Sequence, residues 1–285
     1  MDRKNKVRQA ITIAGSMLRR ESQSYRVRMG YLLGIAIWAY WMHNFFQYVC
    51  DTGEPINILE TFVVIEQDTL SIVFLVLGWL LVIANAPFIQ SNTYFILYRS
   101  SRKSWNMGMV IYILLQAFLF VFCMAAVTII ASSFLGFSGD IWSNPVYTLA
   151  MDQNNDLGVK YHVTFAWSMM IKYMTVPQAF CSTFLFLFCY LAFLGVLLYV
   201  CNLLLRGIWG VIIVLGTHLI GYLLMQEGWV NISCIAHAVP GNFFDGTNAY
   251  LASPGMYLLV IIGLTFLSLW MVRKVDFREG EEDAA

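Results

Sequence analysis

Val73-Phe74-Leu75-Val76-Leu77 lies inside an uncharged run that extends over 70–89. Val211-Ile212-Ile213-Val214-Leu215 lies inside another. Neither alternates apolar with polar residues, the pattern of a membrane barrel strand. Both are apolar on every side, as a helix surrounded by lipid or by other helices is. Crossing the ~30 Å hydrocarbon core takes roughly 20 such residues in a helix. Working outward from these two runs gives six spans of that kind, over 29–49, 70–89, 107–135, 179–205, 208–224 and 256–272. The predicted fold is all-α and polytopic, with a transmembrane domain over 29–272 between segments 1–28 and 273–285.

Composition agrees. Of 285 residues 59% are hydrophobic and 12% are charged, against about 25% charged in a soluble domain. Formal net charge is zero, so nothing argues for a nucleic-acid partner. The placement of charge is more informative. Arg3, Lys4, Lys6, Arg8, Arg19, Arg20, Arg26 and Arg28 precede the first span. Arg99, Arg102 and Lys103 follow the second, Arg206 the fourth, and Arg273, Lys274 and Arg278 the sixth. Only Lys160 and Lys172 fall on the other side, beside Asp51, Glu54, Glu60, Glu66, Asp68 and Glu227. Fifteen of the 17 basic residues thus share one side. By the positive-inside rule that side is cytoplasmic and holds both termini.

Val7, Ala10, Ile11, Ala14, Met17 and Leu18 recur at helical spacing, edged by Arg3, Lys6, Arg8 and Arg20. This predicts an amphipathic helix on the inner leaflet. The first apolar run starts near residue 29, behind this basic segment. A cleavable signal peptide is therefore not expected. Two external segments are long. The loop 136–176 opens polar and turns aromatic and apolar over 159–174, which suits chain lying along the outer surface. The segment 226–254 contains Trp229-Val230-Asn231-Ile232-Ser233-Cys234-Ile235-Ala236, too apolar for a free loop and too short to span. It reads as one or two short helices dipping into the outer leaflet, ended by Pro240-Gly241.

The sequence holds no GxxxxGK[ST] phosphate loop, no HExxH and no GxSxG. Catalytic, cofactor and metal residues are not expected, and any ATP chemistry belongs to another chain. His43, Asn44, Asn85, Gln116, Asn202, Thr217 and His218 are the polar residues in spans. Each is expected first as an inter-helix hydrogen bond, worth under ~1 kcal/mol in a membrane. Asn85 and His218 are the candidates for lining a pathway. Gly30 and Gly34 form a GxxxG that lets another helix approach closely. The six cysteines form no CxxC pair and read as packing residues; Cys50 and Cys234 fall in external segments, where a bridge between them stays open.

The cytoplasmic segment 94–105 is aromatic first and basic second. Tyr94, Phe95, Leu97, Tyr98 and Trp105 stand beside Arg99, Arg102 and Lys103. An apolar knob beside arginines suits docking on a protein partner. This segment, the six spans, the amphipathic helix and the short external helices together resemble the permease subunit of type-2 ABC exporters. Arg99-Ser100-Ser101-Arg102-Lys103-Ser104-Trp105 looks like that family's stretch leading into its third span. The long loop 136–176 departs from its compact members.

The resemblance implies half of a translocation pathway in a bacterial cytoplasmic membrane. A second permease copy or near relative would complete it. Separate ATPase subunits would hold ATP and Mg, and 94–105 would be the coupling helix seated in them. The substrate would be a peptide, a drug or a lipid-linked polymer. Two alternatives stand beside this: a non-transporting scaffold or sensor-associated subunit, and an ATP-independent channel or carrier. In a cysteine-free variant, Ser138→Cys and Asn248→Cys should react with an impermeant thiol reagent outside intact cells. Ser101→Cys should not, and labelling there from outside would overturn the orientation.

Overall fold

The structure, a computed structural model, describes residues 3–86, 100–152, 156–165, 167–205 and 208–272. Among them run α1 (Arg3–Ser22), α2 (Tyr25–Thr52), α3 (Glu60–Gln67), α4 (Thr69–Ile83), α5 (Arg102–Ser132), α6 (Asn144–Met151), α7 (Asp156–Tyr161), α8 (Ser168–Tyr173), α9 (Val176–Leu204), α10 (Trp209–Gln226) and α11 (Ala252–Met271). The only strands among the described residues are β1 (Ile56–Asn57) and β2 (Gly136–Phe137), paired in parallel.

Helices α5, α9, α10 and the stretch containing α11 are each long and apolar enough to cross a membrane. The pair α3 and α4 would make a fifth span if its 93° bend is counted as one broken crossing. The chain is a multi-pass helical membrane protein by this measure, and among the described residues four or five of the six expected spans meet it. Two local causes account for the difference. Helix α2 is 28 residues long, but Tyr40, Trp41, His43 and Asn44 dilute its apolar character. Helix α4 has 15 residues, or about 22 Å at 1.5 Å per residue. The rest of the predicted second span, 87–89, lies outside the described residues.

Asp68 makes the bend. Its carboxylate accepts the Leu70 N–H at 3.1 Å and so caps α4, and it also accepts from the Trp41 indole of α2. An N-cap residue satisfies donors that the first helical turn leaves open. The same side chain therefore ends one helix direction, starts the next and ties both to α2.

Helix α9 is the centre. Of its most apolar stretch 78% is buried, against 22–44% in the three other clear spans. It packs against α3, α4, α5, α10 and α11. Helix α2 packs on α4 through glycines. A Cβ on Gly78 would stand 2.9 Å from the Gly30 carbonyl oxygen and 3.0 Å from the Gly34 nitrogen. One on Gly34 would meet the Phe120 ring of α5 at 2.8 Å. Gly30 and Gly34 are thus used inside the chain, on α4 and α5.

The amphipathic helix lies differently from the expectation. Ala10, Ile13, Ala14 and Met17 are buried, with Ile13 and Ala10 set against Gly108 of α5. Val7 and Ile11 of the predicted stripe are the exposed ones. The stripe therefore meets protein along most of its length, with Val7 and Ile11 left exposed at its edge.

At the end of the bundle where α5 finishes, the described residues of 136–176 form a structured cap. Tyr48, Val63, Val146, Leu149, Val163, Phe165 and Met170 share a second apolar core there. Glu60 clasps it: its oxygens accept from Asn57 N at 2.9 Å, Ser143 N at 2.6 Å and the Ser143 hydroxyl at 2.6 Å. The segment 226–254, expected as one or two short helices, has short helical turns of the 3₁₀ kind at Ala236–Ala238, Pro240–Phe243 and Asn248–Leu251. All six cysteines are free, so Cys50 and Cys234 do not bridge.

Gly78→Ala should destabilise the protein by about 1–3 kcal/mol, because the new methyl group overpacks backbone against backbone. Gly216→Ala, where a Cβ meets nothing within 4 Å, should be neutral or stabilising. Thermal unfolding in detergent would compare them, and equal midpoints would remove the glycine contact as a structural determinant.

Candidate functional site

The buried polar groups of the bundle fall into two sets. The first lies where α5 begins and α9 and α11 end. The Tyr199 hydroxyl donates to Asn106 Oδ1 at 2.6 Å, and Asn106 Nδ2 donates to the Ser268 hydroxyl at 2.9 Å. Three helices are joined by side chains that are fully buried. Helix α5 is capped here by Ser101, whose hydroxyl accepts the Ser104 N–H at 3.1 Å. Asn202 of α9 donates to the carbonyls of Ala84 and Ala86, which follow α4.

The second set lies deeper. The Tyr190 hydroxyl of α9 is 2.6 Å from His218 Nδ1 of α10, and His218 Nε2 is 3.3 Å from the Val73 carbonyl of α4. Tyr257 of α11 stands beside Tyr190, ring centroids 5.8 Å apart, and donates to the Cys234 carbonyl. Glu66 belongs to α3, which packs on α9. Glu66 is fully buried, and neither of its carboxyl oxygens meets a donor among the described residues. Its neighbour Gln67 does find one, accepting from Gly241 N at 3.3 Å. Partnerless ionisable groups at such depth are rare and mark functional positions.

Of the expected pathway residues, His218 belongs to this second set, held at both ring nitrogens. Asn85 does not join it. Asn85 is exposed in the turn after α4, twelve residues beyond Val73, or about 18 Å along a helix. Of the expected docking residues, Tyr94, Phe95, Leu97, Tyr98 and Arg99 lie outside the described residues. Arg102 and Lys103 are exposed in the first turn of α5, where Arg102 reaches the Val272 carbonyl at 3.4 Å. Trp105 is fully buried in the chain's own core. Its ring fills the bundle here rather than projecting as a knob.

Sequence reasoning counted Glu66 only as an external acid. Its signal was the unbroken apolar run Phe62-Val63-Val64-Ile65 just before it. The partnership of Tyr190 with His218 spans 28 residues and leaves no spacing pattern. Elsewhere, among the described residues, ion pairs stand at the junction of α1 and α2, where buried Glu21 pairs with Arg20 at 3.2 Å and Arg26 at 3.4 Å. Burial pulls the Arg26 guanidinium below its ordinary value, and Glu21 opposes that shift. Among the described residues no three of His, Cys, Asp and Glu gather as metal ligands would.

No family model, no curated protein and no solved structure matches this chain.

Glu66→Met should leave the thermal midpoint unchanged or raise it, since it removes a buried polar group with no partner and keeps the volume. Any loss of activity would then come from the lost carboxyl. A fall of several degrees in the midpoint would show instead that the carboxyl holds the fold.

Proposed function

We propose that the chain is the permease subunit of an ATP-driven exporter. In this proposal six helices cross the membrane, namely α2, α4, α5, α9, α10 and α11, with both termini in the cytoplasm. Helix α2 is counted because its 28 residues exceed the roughly 20 needed. The membrane is the bacterial cytoplasmic one. A second copy or near relative completes the pathway, and separate ATPase subunits bind ATP and Mg.

The observation that carries the proposal is the Tyr199–Asn106–Ser268 junction. It stands directly after the aromatic and basic segment 94–105. A push on that segment would enter α5 at its capped first turn. The junction would pass it to α9, the buried centre, and to α11. Neighbouring helix α1 braces the same turn through Ile13 and Gly108. A rigid, hydrogen-bonded entry of this kind suits the transfer of motion from a partner, because packed elements move as bodies and not as soft springs. Among the described residues the groups that would face a passenger are Glu66, Tyr190, His218 and Tyr257.

The test is co-purification. The intact protein, drawn from its native membrane, should bring with it an ATPase of about 230–300 residues, a size set by ordinary domain dimensions. Phe95→Ala with Tyr98→Ala should release that ATPase, by removing apolar area worth a few kcal/mol at an interface centre, while membrane insertion persists. An ATPase that stays bound with normal turnover would move the docking site elsewhere. Absence of any ATPase from the unaltered preparation would favour a scaffold, a channel or a carrier.

A further inference from the structure

A cavity of about 700 Å³ opens between the end of α1, the start of α2 and the middle of α5. Its walls are apolar: Leu18, Leu32 and Leu119 line it, and the last two are also exposed to the surroundings of the bundle. Tyr31 and Gln116 meet across it, with Gln116 Nε2 donating to the Tyr31 hydroxyl at 3.3 Å. Arg19 and Arg28 stand at its cytoplasmic end. Leu32 lies one helical turn, about 6 Å, further along α2 than Arg28. The cleft is thus cationic at one end and oily beyond it.

The charges at that end are uncompensated. Four arginines lie between residues 19 and 28. Glu21 takes Arg20 and Arg26 into ion pairs. Arg19 and Arg28 are exposed and form no ion pair among the described residues; Arg28 donates to the Gln23 carbonyl at 3.1 Å. Two guanidinium groups outside any ion pair among the described residues, above an apolar slot, match one chemistry: a phosphate head with an acyl chain attached. A soluble phosphate would leave the leucine walls unused. A purely apolar occupant would leave the arginines unused.

We propose that this cleft binds one anionic phospholipid of the inner leaflet. Arg19 and Arg28 hold its phosphate, and its chain runs past Leu32 and Leu119 into the bilayer. The lipid would wedge α1 against α2 and α5, and so would tie the stability of α1 to the charge of the membrane. The proposal rests on the orientation of the helices in the bilayer and not on coupling to an ATPase, so either can fail without the other.

The experiment uses the full-length protein in detergent, incubated with phosphatidylglycerol or phosphatidylcholine, with bound lipid counted by native mass spectrometry. One phosphatidylglycerol per chain is expected, favoured about tenfold over phosphatidylcholine. The double variant Arg19→Gln, Arg28→Gln should lose it about tenfold, while Lys6→Gln, Arg8→Gln, with the same charge removed further along α1, should change it less than about twofold. Gly15→Phe supplies a variant with every charge retained. A Cβ there meets nothing within 4 Å, so the ring should enter the cleft and displace the lipid without disturbing the fold. Four results would overturn the proposal. They are equal loss in the two charge variants, equal binding of the neutral lipid, displacement by inorganic phosphate alone, and a dimer that Gly15→Phe dissociates, which would give the cleft to a second copy.

Discussion

The rest of the bundle depends on the burial of α9. A helix that is apolar on every side has no face to offer water, and in lipid it gains little from hiding. What holds it at the centre is close packing. Phe186, Leu187, Tyr190, Leu194, Leu198 and Tyr199 are fully buried, and Gly195 admits Ile113 of α5 and Trp79 of α4 to its backbone. Because dispersion falls steeply with distance, each surrounding helix has one good depth of approach. Once α9 is placed, the depths of α4, α5, α10 and α11 follow. The polar groups on α9 then select the rotation of each neighbour: Tyr190 selects α10 through His218, and Tyr199 selects α5 through Asn106.

The outer cap obeys a different rule. Beside its own small apolar core it is held by a carboxylate and by side chains that donate to backbone carbonyls. Glu60 is fully buried, and it survives there because three donors converge on it, two of them from Ser143. Asn57 adds donors to the carbonyls of Gly139 and Ile141 at 2.6 and 3.2 Å. The Tyr48 hydroxyl donates to the Pro145 carbonyl, the Trp142 indole to the Met174 carbonyl, and the Tyr161 hydroxyl to Asp51. Two of these bonds, from Tyr48 and to Asp51, tie the end of α2 to the cap. Irregular backbone this close to a membrane must be satisfied by protein, and here it is.

The long apolar helices were legible in the sequence because their signal is carried by every residue. The ends of α5, α9, α10 and α11 fall within a few residues of the expected spans. The bend at Asp68 was not legible. An acid after an apolar run looks like the start of a loop, and only the third dimension shows that it caps one helix while receiving the indole of another. Val159 and its neighbours were expected on the outer surface, yet Tyr161, Val163 and Phe165 are buried in the cap, because their partners come from α2 and α3, about a hundred residues earlier. For the site, His218 was legible as polar and out of place. Its partners were not, since hydrogen bonds between distant helices leave no trace in spacing. Trp105 shows the converse failure: an aromatic beside arginines suggests a surface, and the helix phase decides otherwise.

The seat of α1 on α5 has a consequence for how the protein is made. The two are separated in the chain by roughly 80 residues, so at 5–20 residues per second α1 leaves the ribosome roughly 4–16 s before its partner exists. Through that interval Ala10, Ile13, Ala14 and Met17 have no protein to cover them. A lone helix of 20 residues is marginal in water, but the basic residues around this one are drawn to an anionic membrane surface. An anionic bilayer surface would cover the face that α5 later takes over. Of the two helices, α1 is the one that must wait for its final contacts until α5 has been made.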